Sequence, residues 1–191
     1  PIPTLNTLMT AETGNVVSAS RLVLRGLLFL DAEANPVGDL ATEVPTLENG
    51  GVSSDGKTIT FKIRKGLTFA SGNPITAADA AYSLQRVVKL DKTPAFLITQ
   101  LGWSKENVDQ MVTAPDAETL KITITEDFSP SLVLSLMSSV VASVVDMKTV
   151  MEHEADGDMG YAWLKTNSAG SGSFSLKAWK ANESVTLEAN A

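Results

Sequence analysis

The chain has 191 residues, 43% of them hydrophobic, which is enough to bury the core of one domain or of two small ones. It lacks cysteine, which excludes disulfides, zinc–thiolate sites and thiol nucleophiles. Its net charge is −7 and its 15 Lys and Arg residues are scattered, which argues against a nucleic-acid-binding protein. The longest apolar run, residues 140–145, is far shorter than the ~20 residues of a membrane span. The printed sequence starts without a basic and apolar leader, so we expect any export signal to have been removed.

Hydrophobic periodicity predicts alternating helices and strands, without internal repeats. The predicted strands are residues 27–30, 58–64, 119–125, 140–145, 174–179 and 185–188. The predicted helices are residues 16–25, 77–89, 95–101, 131–137, 147–154 and 160–165. This mixture favours an α/β or α+β fold with a mixed sheet.

The segment from Asp55 to Ser83 carries the clearest local signals. Asp55-Gly56 is a hairpin-turn signal, because glycine tolerates the positive φ of a tight turn. Residues 58–64 then alternate apolar and polar side chains, as a half-buried strand does. After a second turn at residues 71–74, Thr76 stands three residues before Asp79, a variant of the capping box that begins a helix.

This order of elements, with RKG after the strand and PITAADA at the helix start, resembles the family 5 extracellular solute-binding proteins. Other segments with the family's pattern are IPTLN at residues 2–6, RGLLFLD at 25–31, PVGDLATE at 36–43, GSGSFSLKAW at 170–179 and NESVTLEAN at 182–190. Ser173 stands where the family often has proline. Proline fixes the backbone angle φ and serine does not, so the backbone is less restricted at this position. The resemblance covers essentially the whole chain, but only the first part of a family member.

The resemblance implies a fold of the periplasmic binding protein type II kind, with a first lobe, an inserted smaller domain and no second lobe. Residues 1–35 and 165–191 would form the discontinuous first lobe, and residues 36–164 the inserted α+β domain. The implied function is the binding component of a bacterial ABC importer, which captures short peptides between two lobes and delivers them to the permease subunits. We accordingly expect a periplasmic monomer without cofactor or catalytic residues.

Ligand contacts are expected in the loop before the first helix, where peptide-binding relatives pair backbone with an extended peptide. The residues of this loop are Met9, Thr10, Ala11, Glu12, Thr13 and Gly14. Small side chains suit backbone pairing, and Glu12 would meet a ligand's ammonium group. The alternative is that Glu12 is an ordinary solvated loop residue, and the sequence leaves both interpretations open.

Two further candidates have equally ordinary alternatives. Phe96 stands where some relatives bring an aromatic side chain over the ligand, but helical spacing favours its packing in the core with Leu97 and Leu101. The segment Ser168, Ala169, Gly170 and Ser171 occurs where the chain returns to the first lobe. Its glycine either lets backbone approach a ligand or serves a turn, and the turn is slightly favoured.

Several motifs that suggest other chemistry fail on their context. Gly170-Ser171-Gly172 lacks the third glycine or the lysine of a phosphate loop, and a strand follows it instead of a helix. Ser54 and Lys57 have the spacing of a serine acyl-enzyme, but they fall on a hairpin turn. His153, the single histidine, stands among acidic residues without the spacing of a calcium loop or a second histidine, so no metal site is expected.

Two classes of function remain. The first is the receptor, for short peptides or for nickel complexes, sugars or opines, since the residues that choose the solute belong largely to the second lobe. The second is an enzyme or interaction domain that shares the architecture, because fold does not determine function. The order of family motifs and the lack of a catalytic constellation favour the receptor.

Overall fold

The structure, a computed structural model, describes residues 14–180 and 183–190, apart from the side chains of residues 14–17. The helices are α1 (Gly14–Val23), α2 (Ala77–Leu90), α3 (Phe96–Thr99), α4 (Val108–Met111), α5 (Pro130–Met137) and α6 (Met147–Glu152). The strands are β1 (Arg25–Gly26), β2 (Leu28–Leu30), β3 (Pro36–Gly38), β4 (Thr58–Lys62), β5 (Val112–Thr113), β6 (Thr119–Thr123), β7 (Ser143–Val144), β8 (Phe174–Lys180) and β9 (Ser184–Ala189). The predicted mixture of helices and strands is confirmed. None of the helices in this described part has the length and hydropathy that a membrane crossing requires.

A three-stranded antiparallel sheet of order β4-β6-β5 forms the centre of the largest hydrophobic core. Ile59 pairs with Ile122 and Phe61 with Leu120 across β4 and β6, and all four side chains are fully buried. Helix α2 packs on this sheet through an apolar face that includes Leu84. Alternation along the strands and helical spacing along α2 therefore direct apolar side chains into one shared core.

The turns predicted in the segment from Asp55 to Ser83 are present. Gly56 has a φ of 70°, and its N–H donates to the Ser53 carbonyl before β4 begins. Gly72 has a φ of 86° in the second turn. At the start of α2, the Asp79 carboxylate accepts hydrogen bonds from the Thr76 backbone N–H at 2.9 Å and from the Thr76 hydroxyl at 2.7 Å. The predicted capping interaction is confirmed.

Helix α1 packs against the hairpin of β8 and β9. Ala19 and Val23 of the helix are buried, and Leu176 and Leu187 of the hairpin pack against them. The chain leading into β8 approaches the end of α1 closely, because a Cβ at Gly170 would lie 1.9 Å from the Val23 carbonyl oxygen. Only glycine allows this backbone contact.

Some predicted elements differ from the observed ones. The apolar run at residues 140–145, predicted as a strand, forms a 3-10 helix (Val140–Ala142) followed by the short β7. Local hydrogen bonds hold this turn, from the Ala142 N–H to the Ser139 carbonyl and from the Ser143 hydroxyl to the Val140 carbonyl.

The helix predicted at residues 160–165 is reduced to a 3-10 turn (Trp163–Lys165), because Gly160 has a φ of 68°. The helix predicted at residues 95–101 is shortened to α3 (Phe96–Thr99), and a 3-10 turn (Thr93–Ala95) precedes it. The pattern missed β1, β3, α4 and β5.

Candidate solute-binding cleft

Two adjoining pockets open where α1 and β1 meet the chain that leads into β8. The smaller pocket has a volume of about 280 Å³ and the larger about 610 Å³. Arg25, Gly172 and Ser173 line both of them. We call the two pockets together the cleft.

The larger pocket lies between two loops that are far apart in sequence. One wall is the segment from Gly66 to Gly72 and the other is the segment from Ser171 to Ser173, with Asn190 beside it. A hydrogen bond joins the two loops, from the Ala70 N–H to the Gly170 carbonyl oxygen at 3.0 Å. The wall from Gly66 to Gly72 thus contains part of the turn that precedes α2.

Asp146 holds this turn in place. Its carboxylate accepts hydrogen bonds from the Ser71 hydroxyl at 2.6 Å, from the Asn73 side-chain amide at 2.8 Å and from the Thr149 hydroxyl at 2.6 Å. The Asp146 N–H donates to the Ala169 carbonyl at 2.9 Å, so one residue connects the turn, α6 and the segment that leads to β8. Burial favours the neutral acid, but the hydrogen bonds outweigh it and hold the pKa of Asp146 below its ordinary value.

The smaller pocket is lined by polar and basic groups along one side. Arg25 is paired with Asp39, whose Oδ1 lies 2.8 Å from Nε and 2.5 Å from Nη2. Arg21, in the last turn of α1, lines the same pocket and has no acidic partner among the described residues. The remaining lining groups are Leu24, Gly26, Leu28, Phe29, Ser138, Ser139, Val140, Ser143, Gly172 and Ser173.

Each pocket has a buried hydroxyl without a hydrogen-bond partner in the described structure. Ser139 lines the smaller pocket and Ser171 the larger one, and the Oγ atom of each is buried. Ser171 is only 7% exposed. Buried polar atoms are nearly always hydrogen-bonded in folded proteins, so these two hydroxyls beside the cleft are exceptions.

The predicted ligand-binding residues fall in different places. Ser171 lines the larger pocket, whereas Ala169 and Gly170 are buried behind it and Ser168 is half-buried. Gly170 serves the close approach to α1 and not a turn, which corrects the favoured interpretation of this segment. Met9, Thr10, Ala11, Glu12 and Thr13 lie outside the described residues, and Gly14 is the first residue of α1.

Phe96 lies at the start of α3 and lines neither pocket of the cleft. It is 61% exposed, whereas Leu101 is buried and Leu97 packs against the core. The interpretation of Phe96 as a core residue is therefore wrong, since most of its surface is exposed while Leu97 and Leu101 pack in the core. Its proposed contact with a ligand stays a prediction.

Sequence reasoning missed Arg21, Arg25 and the loop from Gly66 to Gly72 as lining groups of the cleft. Arg25 was noted only as part of a family motif, and the loop was not among the predicted ligand contacts. The signal for Arg25 was available, since a charged residue stands two positions before the apolar run at residues 27–30. The position of the loop depends on its contact with Gly170, which no local pattern reveals.

His153 belongs to a different surface. Its ring stacks on Trp163 with centroids 4.2 Å apart, and Nδ1 lies 2.9 Å from the Thr149 carbonyl oxygen. Within residues 14–180 and 183–190, no three His, Asp or Glu side chains come together as a metal site would require. The stacking gives the single histidine a structural contact.

Comparison with known proteins identifies the family. The model of the bacterial extracellular solute-binding proteins, family 5, matches residues 35–191, which include both walls of the larger pocket. The chain belongs to this family. The resemblance inferred from the sequence motifs is therefore confirmed for this family 5 chain.

Relatives of this family 5 chain are named for peptides. It is 32% identical over 153 residues to the probable D,D-dipeptide-binding periplasmic protein DdpA of Escherichia coli, covering 80% of this chain and 26% of DdpA. It is 29% identical to the periplasmic oligopeptide-binding protein OppA of Salmonella typhimurium, covering 91% of this chain and 31% of OppA. The chain thus spans about a third or less of the length of these relatives.

The fold agrees with that of solved family members. The structure of Haemophilus influenzae OppA in complex with RPPGFSPFR matches 99% of this chain with a TM-score of 0.80 at 25% identity, and the match covers 36% of the OppA chain. The pheromone receptor PrgZ matches the whole chain with a TM-score of 0.77 at 24% identity, over 38% of its own length. The expected periplasmic binding protein fold is confirmed.

Proposed function

We propose that this chain is part of the substrate-binding component of a bacterial ABC importer, and that its solute is a short peptide. The family match over residues 35–191 carries the proposal. The relatives named for dipeptides and oligopeptides support the choice of peptide. The receptor would act in the periplasm as a monomer, without enzymatic activity, and would deliver peptide to the permease subunits.

The cleft supplies one wall of the proposed site. A pocket of about 610 Å³ is within the range of about 300–1,000 Å³ that small-molecule sites occupy. Its lining is rich in glycine and serine, so an extended peptide can approach backbone closely there. A second lobe would close over this wall by hinge motion, and the solute would stabilise the closed state that the permease recognises.

The division of the chain into lobes is part of the same proposal. Residues 1–35 and 165–191 would form the first lobe and residues 36–164 the inserted domain. Met9 to Gly14, Phe96 and Ser168 to Ser171 remain proposed ligand contacts. The position of Ser171 in the larger pocket supports the last of these segments.

A different solute is the alternative within the same receptor class. Another relative, 25% identical over 181 residues, is named as the probable deoxycholate-binding periplasmic protein YgiS of Escherichia coli. A family 5 receptor for a non-peptide solute, such as a nickel complex, a sugar or an opine, would use the same cleft with different residues of the second lobe.

Peptide retention tests the proposed function. The full-length protein is incubated with a mixture of short peptides, separated from free peptide by gel filtration and analysed by mass spectrometry. Intact peptides retained with the protein are the expected result. Cleaved products would overturn the receptor in favour of an enzyme, and retention of no peptide would favour another solute.

A further inference from the structure

Asn49 is the only asparagine of the sequence that is followed directly by glycine. Asn49 and Gly50 lie in the segment between β3 and β4, and both are exposed. In such a pair the backbone nitrogen of the glycine can reach the side-chain carbon of the asparagine, because glycine has no Cβ to hinder the approach. Gly50 has a φ of 72°, a backbone conformation that glycine adopts readily.

The reaction that this pair supports converts the asparagine amide to an acid, and asparagine is one of the thermolabile residues for this reason. The Gly50 nitrogen forms a bond to Asn49 Cγ, the bond from Cγ to Nδ2 breaks, and the proton of the Gly50 nitrogen leaves with Nδ2 as ammonia. The cyclic imide then takes up one water molecule, which opens it to aspartate or isoaspartate. Ammonia is lost and water is gained, so solvent water is the sole co-reactant.

The folded loop holds the reacting amide at both ends. Asn49 Oδ1 accepts hydrogen bonds from the Thr46 N–H at 2.8 Å and from the Gly51 N–H at 3.0 Å. Asn49 Nδ2 donates to the Val44 carbonyl oxygen at 2.9 Å. An amide held in this way has to leave its partners before Cγ becomes tetrahedral, so each of these hydrogen bonds opposes the reaction.

The attacking nitrogen and the backbone around it are also hydrogen-bonded. The Gly50 N–H donates to the Leu47 carbonyl oxygen at 3.3 Å. The Asn49 N–H donates to the Thr46 hydroxyl at 3.1 Å. The Val52 N–H donates to the Thr46 carbonyl oxygen at 2.9 Å, which closes the loop. The reaction therefore requires the loop to open, and its rate follows the population of the open form.

We propose that Asn49 is a site of spontaneous deamidation, and that the hydrogen bonds of its loop confine the reaction to molecules in which the loop has opened. The product changes the loop, because aspartate has no side-chain N–H to donate to the Val44 carbonyl oxygen. Isoaspartate also puts an extra carbon into the main chain two residues before Gly51, whose carbonyl accepts from the Thr60 N–H at 2.7 Å. Deamidation thus weakens the contact between the loop and β4, whichever solute the protein binds.

Peptide mapping by mass spectrometry, on the full-length protein kept in mildly alkaline buffer, tests the proposal. A synthetic peptide with the sequence of residues 44–53 is the reference for the open loop. Asn49 should convert to aspartate and isoaspartate at least about tenfold faster in the peptide than in the folded protein. Unfolding the protein in urea should bring the rate at Asn49 to that of the peptide.

Thr46→Val is the test variant, because it removes the hydroxyl that accepts from the Asn49 N–H. The loss of one hydrogen bond should raise the rate at Asn49 in the folded protein by about two- to tenfold. Thr93→Val is the control, because it makes the same change at an exposed threonine in the turn before α3. It should leave the rate at Asn49 unchanged.

Lack of conversion at Asn49 in the peptide would overturn the assignment of the site. Equal rates in the peptide and the folded protein, or a faster reaction in the folded protein, would overturn the protection by the loop. A rate in urea that stays at the folded value would do the same, and this measurement needs no variant to fold. Equal rates for Thr46→Val and Thr93→Val would also contradict the proposal, because the loop would then open without breaking the bond to Thr46.

Discussion

At the scale of single residues, Asp146 determines how the larger pocket is built. It is 1% exposed, and its carboxylate accepts hydrogen bonds from Ser71, Asn73 and Thr149. Ser71 and Asn73 belong to the turn that includes Gly72 of the pocket wall, and Thr149 lies in α6. Burial favours the neutral acid, but these hydrogen bonds favour the ionised carboxylate and outweigh its burial, so the pKa of Asp146 is lowered.

Replacing Asp146 by asparagine should lower the free energy of unfolding by about 1–3 kcal/mol at neutral pH, because an amide cannot accept all of these hydrogen bonds. The loss should depend on pH in a defined direction. Since the hydrogen bonds hold the folded-state pKa below 3.8, the carboxylate contributes stability above that value and loses it as pH falls through the folded-state pKa. Urea denaturation between about pH 7 and pH 2 should show the two proteins converging in acid.

Glu152→Gln is the matched control for Asp146→Asn, because Glu152 is an exposed carboxylate in the same helix, α6. Its stability should differ little from that of the unaltered protein at any pH. A loss for Asp146→Asn that stays constant down to the lowest pH would show that shape, and not charge, is what the substitution disturbs.

At the scale of elements, the sheet β4-β6-β5 and α2 provide the rigid support for the loop that lines the larger pocket. That loop connects β4 to α2, so its two ends are fixed by the largest hydrophobic core. Phe61 in β4 is fully buried and pairs with Leu120 of β6. The packing of the sheet on α2 therefore determines where the loop lies.

Phe61→Ala should destabilise the protein by about 3–5 kcal/mol, because it opens a cavity in the largest hydrophobic core. Phe96→Ala is the control for the same change of side chain, and it should cost about 0.5 kcal/mol or less because Phe96 is 61% exposed. Denaturant unfolding measures both. Similar losses for the two variants would contradict the placement of Phe96 at the surface.

Sequence reasoning predicted the elements whose signals are local. The alternation at residues 58–64 and the Thr76–Asp79 cap gave β4 and α2 to within two residues, because periodicity and capping depend on neighbours in the chain. The apolar run at residues 140–145 was misassigned, because a short apolar run without periodicity does not distinguish a strand from a helical turn.

The cleft was predicted only in part, for a different physical reason. Ser171 was among the predicted contacts, but no residue of the opposite wall, from Gly66 to Gly72, was. The two walls meet through the hydrogen bond from Ala70 to Gly170, between residues 100 positions apart (170 − 70 = 100). Long-range pairing of this kind leaves no periodic trace in the sequence, so the wall from Gly66 to Gly72 becomes visible only in the fold.

At the scale of the whole molecule, we propose that the described cleft is one wall of a larger site. The chain corresponds to about a third or less of the relatives it matches, and its two pockets lie at one edge of the α1 and β8-β9 unit. A ligand held by one wall keeps much of its surface in water, and sites that bind small molecules tightly bury most of that surface. We therefore expect the second wall to supply a large share of the affinity.

Calorimetric titration of a retained peptide into the 191-residue chain and into the full-length protein tests directly whether the cleft is one wall of a two-walled site. The full-length protein should bind the peptide at least about tenfold more tightly than the chain alone, a difference of about 1.4 kcal/mol or more in binding free energy. Equal affinities would contradict the two-walled site, because the cleft between Gly66 to Gly72 and Ser171 to Ser173 would then be the complete site.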